Sequence, residues 1–162
     1  MNAEIKIFGR DGSFDRASGI LSSIFENYEW QSDTETFGRS EWWLGYMEQL
    51  KAKKVIRDDC DGFSGLVLDL LFFLGGFQLH NMAECLVDVK KDDKPFDHHA
   101  GAVRVSGVWF YFHCWSPQLL TKEKMVRGTY ILENGNKAAP LFIFEHRLCT
   151  GGLSDWKGGP PQ

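Results

Sequence analysis

Asp58-Asp59-Cys60-Asp61-Gly62-Phe63, followed by Leu66-Val67-Leu68-Asp69-Leu70-Leu71-Phe72-Phe73-Leu74 and closed by Gly75-Gly76, is the stretch on which the fold turns. Its first part is charged and turn-forming, and the block behind it is apolar. The pattern predicts a loop feeding the first turn of a buried helix, with Cys60 at or near the N-terminus. A thiol is most easily ionised at that position, because unpaired backbone N–H groups and the macrodipole favour the thiolate. Asp58, Asp59 and Asp61 act the other way and repel a thiolate, so the helix end and a histidinium have to outweigh them. Most cysteines are buried packing residues. The polar flank and the helix start set Cys60 apart as a candidate nucleophile.

Upstream of this stretch, Ile5-Lys6-Ile7-Phe8 reads as a short strand closed by Gly9 and Asp11-Gly12. Ser13 or Asp15 is placed to cap a helix through Ile20, Leu21, Ile24 and Phe25. Residues 29–39 are polar and loop-like. A second helix fits Ser40 to Lys54, with Trp43, Tyr46, Met47 and Leu50 at helical spacing and Lys51, Lys53 and Lys54 near its C-terminal end. Downstream the period changes from helical to alternating. Glu84 to Lys90 reads as a strand, and Lys91-Asp92-Asp93-Lys94-Pro95 as a charged turn. Ala100 to Val105 and Val108 to Trp115 form a hairpin around Ser106-Gly107. Thr129 to Leu132 and Leu141 to Phe144 add two more strands through Asn134-Gly135-Asn136. Helices first and an antiparallel sheet after them make an α+β fold. The expected organisation is one domain over residues 1–162, with the chemistry within 40–115 and an irregular tail over 150–162.

The bulk properties bound the function. A chain of 162 residues buries roughly 68–70% of its unfolded surface, which is enough for a core without staples. The formal charge of −4 argues against a nucleic-acid partner. The longest apolar run, Leu66 to Phe77, carries Asp69 and is too short to span a bilayer, so no membrane partner is expected. Met1-Asn2-Ala3-Glu4-Ile5-Lys6 lacks the basic and apolar regions of a secretion signal. A reducing, cytoplasmic setting follows as the expectation, with Cys60, Cys85, Cys114 and Cys149 unbridged. With no CxxC there is no thioredoxin-like or zinc-ribbon motif, and no cofactor or metal is expected.

A thiolate needs a base. Asp97-His98-His99-Ala100 opens the alternating strand, and His99 leads straight into it, so His99 is the better-fixed candidate. Cysteine on a helix start with histidine on a following strand is the arrangement of a papain-like nucleophile. The first polar residue after the next strand, His113, is the candidate for orienting His99, since a neutral imidazole can accept from another. Geometry raises an objection. A two-residue turn at Ser106-Gly107 pairs His99 with Cys114 and turns His113 to the other face. A three-residue loop or a bulge would bring His113 back. The backbone N–H of Cys60 is the default oxyanion donor, and Gln49 or Trp43 could add a second, although Gln49 is more simply a solvated helix residue. Cys60, Cys85, His98, His99, His113 and Cys114 also contain enough ligands for zinc, but their spacings match no familiar site, and adjacent strand residues point apart. Trp42, Trp43, Tyr46, Trp109, Tyr111 and Trp115 line either a substrate groove or a packed core.

Taken together, Asp-Cys-Asp-Gly-Phe, an apolar helix ending in glycine, a strand, and His-Ala opening an alternating strand resemble the bacterial transglutaminase-like cysteine peptidases. That family is similar to the papain fold and has phage-encoded members. The resemblance covers roughly Ser40 to Trp115, and 39 residues separate Cys60 from His99, as in that family. It implies a Cys–His–Asp triad, with Cys60 and His99 in the first two places and His113 where aspartate is expected. The upstream Trp42-Trp43 fits it as well. The Asp-Cys-x-Gly-Phe motif also resembles the NlpC/P60 peptidases, where the third group is often histidine. The activity implied is a thiol-dependent hydrolase or acyl transferase acting on an amide: a peptide, an isopeptide or a peptidoglycan cross-link. The alternative is a catalytically inactive binding or inhibitor protein on the same fold, phage-encoded and directed at a host protein. In that setting the host cytoplasm or the virion is the expected location.

Overall fold

The computed structural model describes residues 12–38, 49, 55–92 and 94–149. The expected strand at Ile5 to Phe8, Trp42, Trp43, Tyr46 and the tail from residue 150 lie outside the described residues. Of the expected Ser40 to Lys54 helix, only Gln49 is described, and it is helical.

Helix α1, Ser13–Phe25, begins after Gly12 and buries Ala17, Leu21 and Ile24 along one stripe. The next stretch is more structured than its polar composition indicated. Strand β1, Tyr28–Trp30, is followed by the short helix α2, Asp33–Phe37. The Glu35 carboxylate accepts from the N–H and the hydroxyl of Ser32 at the start of α2. Strand β2, Ile56–Asp58, runs parallel to β1, with Tyr28 opposite Ile56 and Trp30 opposite Asp58. Helix α3, Cys60–Phe73, follows at once and buries Phe63, Leu66, Val67, Leu68 and Leu71. It starts and ends where the sequence placed it.

A short 3-10 turn, Leu79–Asn81, leads into the sheet. Its strands are β3, Met82–Lys91; β4, Lys94–Val105; β5, Val108–His113; and β6, Ser116–Leu120. Helix α4, Lys122–Arg127, intervenes before β7, Tyr130–Ile131, and β8, Lys137–Leu148. Strand β8 is longer than its apolar segment predicted. The sheet order is β6-β5-β4-β3-β8-β7, and its pairings are antiparallel. Among the described residues, no helix is long and apolar enough to cross a membrane.

The sheet carries a separate apolar cluster on each face. Helices α1 and α3 cover one face and enclose Met82, Val103, Val105, Phe110, Phe112 and Cys114. The other face packs Cys85, Val87, Ala100, Ala102 and Tyr111 against Met125 of α4. The sheet is curled: His146 of β8 reaches Trp109 of β5, with ring centroids 4.7 Å apart across two intervening strands.

Parity across the sheet follows from the β4–β5 turn. Ser106 and Gly107 both have positive φ, 50° and 82°, as a tight two-residue hairpin requires. The register therefore pairs Val105 with Val108 and Gly101 with Phe112. Phe112 fits because Gly101 has no side chain: a Cβ there would lie 2.2 Å from the ring.

Candidate functional site

The loop before α3 is held from both sides. The Tyr28 hydroxyl directs its hydrogen between the carbonyl oxygens of Asp58 (2.6 Å) and Asp59 (2.8 Å). Its ring packs edge-on against Phe63, one turn into the helix, at 4.7 Å. Asp58 is fully buried, and its carboxylate accepts from the Asp59 N–H at 3.0 Å. It nests against Gly62, where a Cβ would meet it at 2.1 Å. Asp59 caps the helix by accepting from the Asp61 N–H at 3.3 Å. Ser64 donates to the Cys60 carbonyl at 2.8 Å. These contacts fix Cys60 at the first position of α3.

Cys60 is partly buried and unbridged, as are the more deeply buried Cys85, Cys114 and Cys149. Burial pushes the Cys60 thiol pKa upward, and Asp59 and Asp61 push it further. The backbone at His99 and at Cys60 itself draws the value back. The structure thus brings the strand at His99 onto the thiol. It also shows that the helix terminus does not overcome burial and the acidic flank, so the resting thiol is protonated.

His99 stands on the α3 face of β4. Its Nε2 lies 3.3 Å from Oε1 of Glu84 on β3, and both side chains are largely buried, at 12% and 15% exposed. Burial lowers the His99 pKa to about 4, although Asp59 and Glu145 pull it upward. His99 is therefore neutral at neutral pH. The Glu84 carboxyl is raised by burial, while Arg147 opposes that shift. Arg147 stands opposite Glu84 on β8 and pairs with Glu145.

His113 is not beside His99. The two-residue turn sends it to the opposite face, where its Nδ1 lies 3.2 Å from Nε2 of His98. Trp115 stacks on the His98 ring at 3.8 Å, and Tyr130 meets His113 edge-on at 4.6 Å. Both imidazoles are sealed, at 1% and 0% exposed. Burial pulls His113 down to about 3 and lowers His98 as well. The expectation that His113 orients His99 is thus corrected by the parity of the hairpin.

The zinc set separates in the same way. Cys85, His98 and His113 lie on one face, and Cys60, His99 and Cys114 on the other. Among the described residues, the ligand atoms that gather within 4.8 Å belong to Asp59, Cys60 and Asp61, and the Asp59 carboxylate is already engaged as the helix cap. Gln49 is occupied too. Its amide donates to the Arg57 carbonyl and accepts from the Arg57 N–H, at 2.5 and 2.6 Å, which engages the side chain away from the thiol. Trp109 and Tyr111 pack beside His146 under α4, as part of the second core.

Sequence reading missed Glu84. It looked like one polar residue among several in an alternating strand, and only the β3–β4 register shows that it flanks His99.

No protein-family model and no curated protein matches this chain. The structure is similar to that of Legionella pneumophila LapG, with a TM-score of 0.53 and 11% identity over 94% of this chain and 78% of that one. At that identity the likeness is one of fold, in the helices and curled antiparallel sheet described here.

Proposed function

We propose that residues 1–162 form a single papain-like domain and that the chain is a thiol-dependent hydrolase or acyl transferase acting on an amide. The observation that carries this reading is placement: Cys60 opens α3, and His99 stands on the face of β4 that α3 covers, near enough for its backbone to lower the thiol pKa. Cys60 is the nucleophile and His99 the general base.

Because both groups rest neutral, attack and proton transfer belong to one step. The Cys60 sulfur bonds to the carbonyl carbon as its proton passes to the His99 ring, and the C=O electron pair moves onto oxygen. The Cys60 backbone N–H is the oxyanion donor. Collapse restores the C=O and breaks the C–N bond, and His99 returns the proton to the leaving amine. Water or a second amine then attacks the thioester, His99 takes its proton, and the thiol leaves reprotonated. A peptide, an isopeptide and a peptidoglycan cross-link all offer this amide.

One observation favours a second reading, a binding or inhibitor protein on the same fold: burial raises the thiol and lowers its base, so no resting ion pair forms. A small acyl donor separates the two. Incubated with p-nitrophenyl acetate, the full chain should acetylate at Cys60, as located by peptide mass mapping. His99→Ala should slow that step by roughly 100-fold, and Cys60→Ala should abolish it. Acetylation no faster than that of a free cysteine, and indifferent to His99→Ala, would replace the enzyme with the binding protein.

A further inference from the structure

We infer that Glu84 is the residue that positions His99, so that the base is oriented by a glutamate on the strand before it rather than by a residue on the strand after it. This rests on the reading of Cys60 and His99 as nucleophile and base.

The first support is contact: Glu84 Oε1 lies 3.3 Å from His99 Nε2, with both side chains mostly withdrawn from water. The second is register. Leu86 pairs with His99 and Glu84 with Gly101, so Glu84 and His99 are diagonal neighbours on one face, within reach of long side chains. The third is exclusion on the other flank. The residues of that flank turned to the α3 face are Phe110 and Phe112, neither able to accept a proton, and beyond them Cys114, whose thiol burial keeps protonated, while His113 is turned away and held by His98. The fourth is that Glu84 is held by a neighbour of opposite charge, since Arg147 stands across from it on β8.

The chemistry follows from which ring nitrogen meets the carboxylate. A neutral imidazole with Nε2 beside an acceptor carries its hydrogen there, which leaves the lone pair on Nδ1. When His99 takes the thiol proton at Nδ1, the imidazolium that forms lies against the Glu84 carboxylate. Glu84 touches neither substrate nor sulfur in this account. It selects the tautomer and holds the ring, as the third member of such a set does.

Two readouts on the full chain test this separately from the thiol reading. Ring 15N shifts of labelled histidine report which nitrogen of His99 is protonated, and p-nitrophenyl acetate reports acylation of Cys60. In the wild type at neutral pH, His99 should carry its hydrogen on Nε2. Glu84→Gln, whose amide can donate to Nε2, should move the hydrogen toward Nδ1 and slow acylation at least about tenfold. Glu84→Asp, which keeps the charge, should retain the wild-type tautomer and recover most of the rate. An unchanged tautomer in Glu84→Gln, or acylation within about twofold of wild type in a chain that does acylate, overturns the role of Glu84. So does an Nδ1–H tautomer in the wild type, which decides the matter even if Glu84→Gln fails to fold. If the wild type does not acylate at Cys60, the thiol reading falls while the tautomer comparison still judges Glu84.

Discussion

On one face of strand β4, the face covered by α3 with Cys60 at its start, His99 lies 3.3 Å from Glu84. On the other face, one residue back along the chain, His98 lies 3.2 Å from His113 under a stacked Trp115. Burial lowers the histidines on both faces, so burial does not separate them. The partners do. An imidazolium at His99 meets a carboxylate, whereas one at His98 or His113 meets another imidazole and aromatic rings. Moreover, the outer ring nitrogens, Nδ1 of His98 and Nε2 of His113, are buried without a hydrogen-bond partner, which leaves a proton there unsupported. A histidine pair of this kind can hold a core together but is poorly suited to passing protons to a thiol.

The sharpest way to break the comparison is to damage one face only. Gly101→Ala places a Cβ 2.2 Å from the ring of Phe112 on the thiol face, and Phe112 is fully buried. It should cost roughly 2–3 kcal/mol in urea unfolding, as overpacked cores do. A loss under about 1 kcal/mol would mean that the ring is not locked over Gly101.

Acid should act next, and chiefly through the sealed face. The His113 pKa in the folded protein, about 3, lies below its value in the unfolded chain. The unfolded chain therefore takes up the proton first as pH falls. Stability from this group is complete above about pH 6.5 and declines from there toward pH 3. By pH 5 the loss is about 2 kcal/mol for His113. His113→Phe should reduce the difference in unfolding free energy between pH 8 and pH 5 by about that amount. An undiminished difference would show that His113 is not held neutral.

The smallest effect sharpens the comparison most. His113→Asn should leave Cys60 acetylation by p-nitrophenyl acetate within about twofold of wild type, because the sheet separates it from the thiol. A tenfold loss would mean that the two faces communicate.

These contrasts mark where the sequence was readable. The start of α3 at Cys60 was legible because the turn-forming acidic run and the apolar block are both local signals. The hairpin at Ser106-Gly107 was legible for the same reason, and with it came the objection that His113 would face away. That objection decided the outcome. Glu84 was hidden because its role depends on how two strands slide past each other, which alternation does not state. The raised thiol pKa was half visible in Asp59 and Asp61, while the larger contribution, burial, exists only in the folded chain. The clamp by Tyr28 was not foreseen, because residues 29–39 carry few apolar side chains and β1 is only three residues long.

That clamp has a consequence in time as well as in space. The bonds from Tyr28 to the carbonyls of Asp58 and Asp59 join residues 30 and 31 positions apart. Helix α3 can form from its own apolar run, but its first turn is pinned only after this long loop closes, and loop closure costs chain entropy before any contact rewards it. During synthesis or refolding the thiol end of α3 thus settles after the rest of that helix. A folding chain should pass through forms in which Cys60 sits on a frayed helix end, and these are the forms most open to oxidants. Reductant should then raise the yield of refolding far more than it alters the stability of the finished protein.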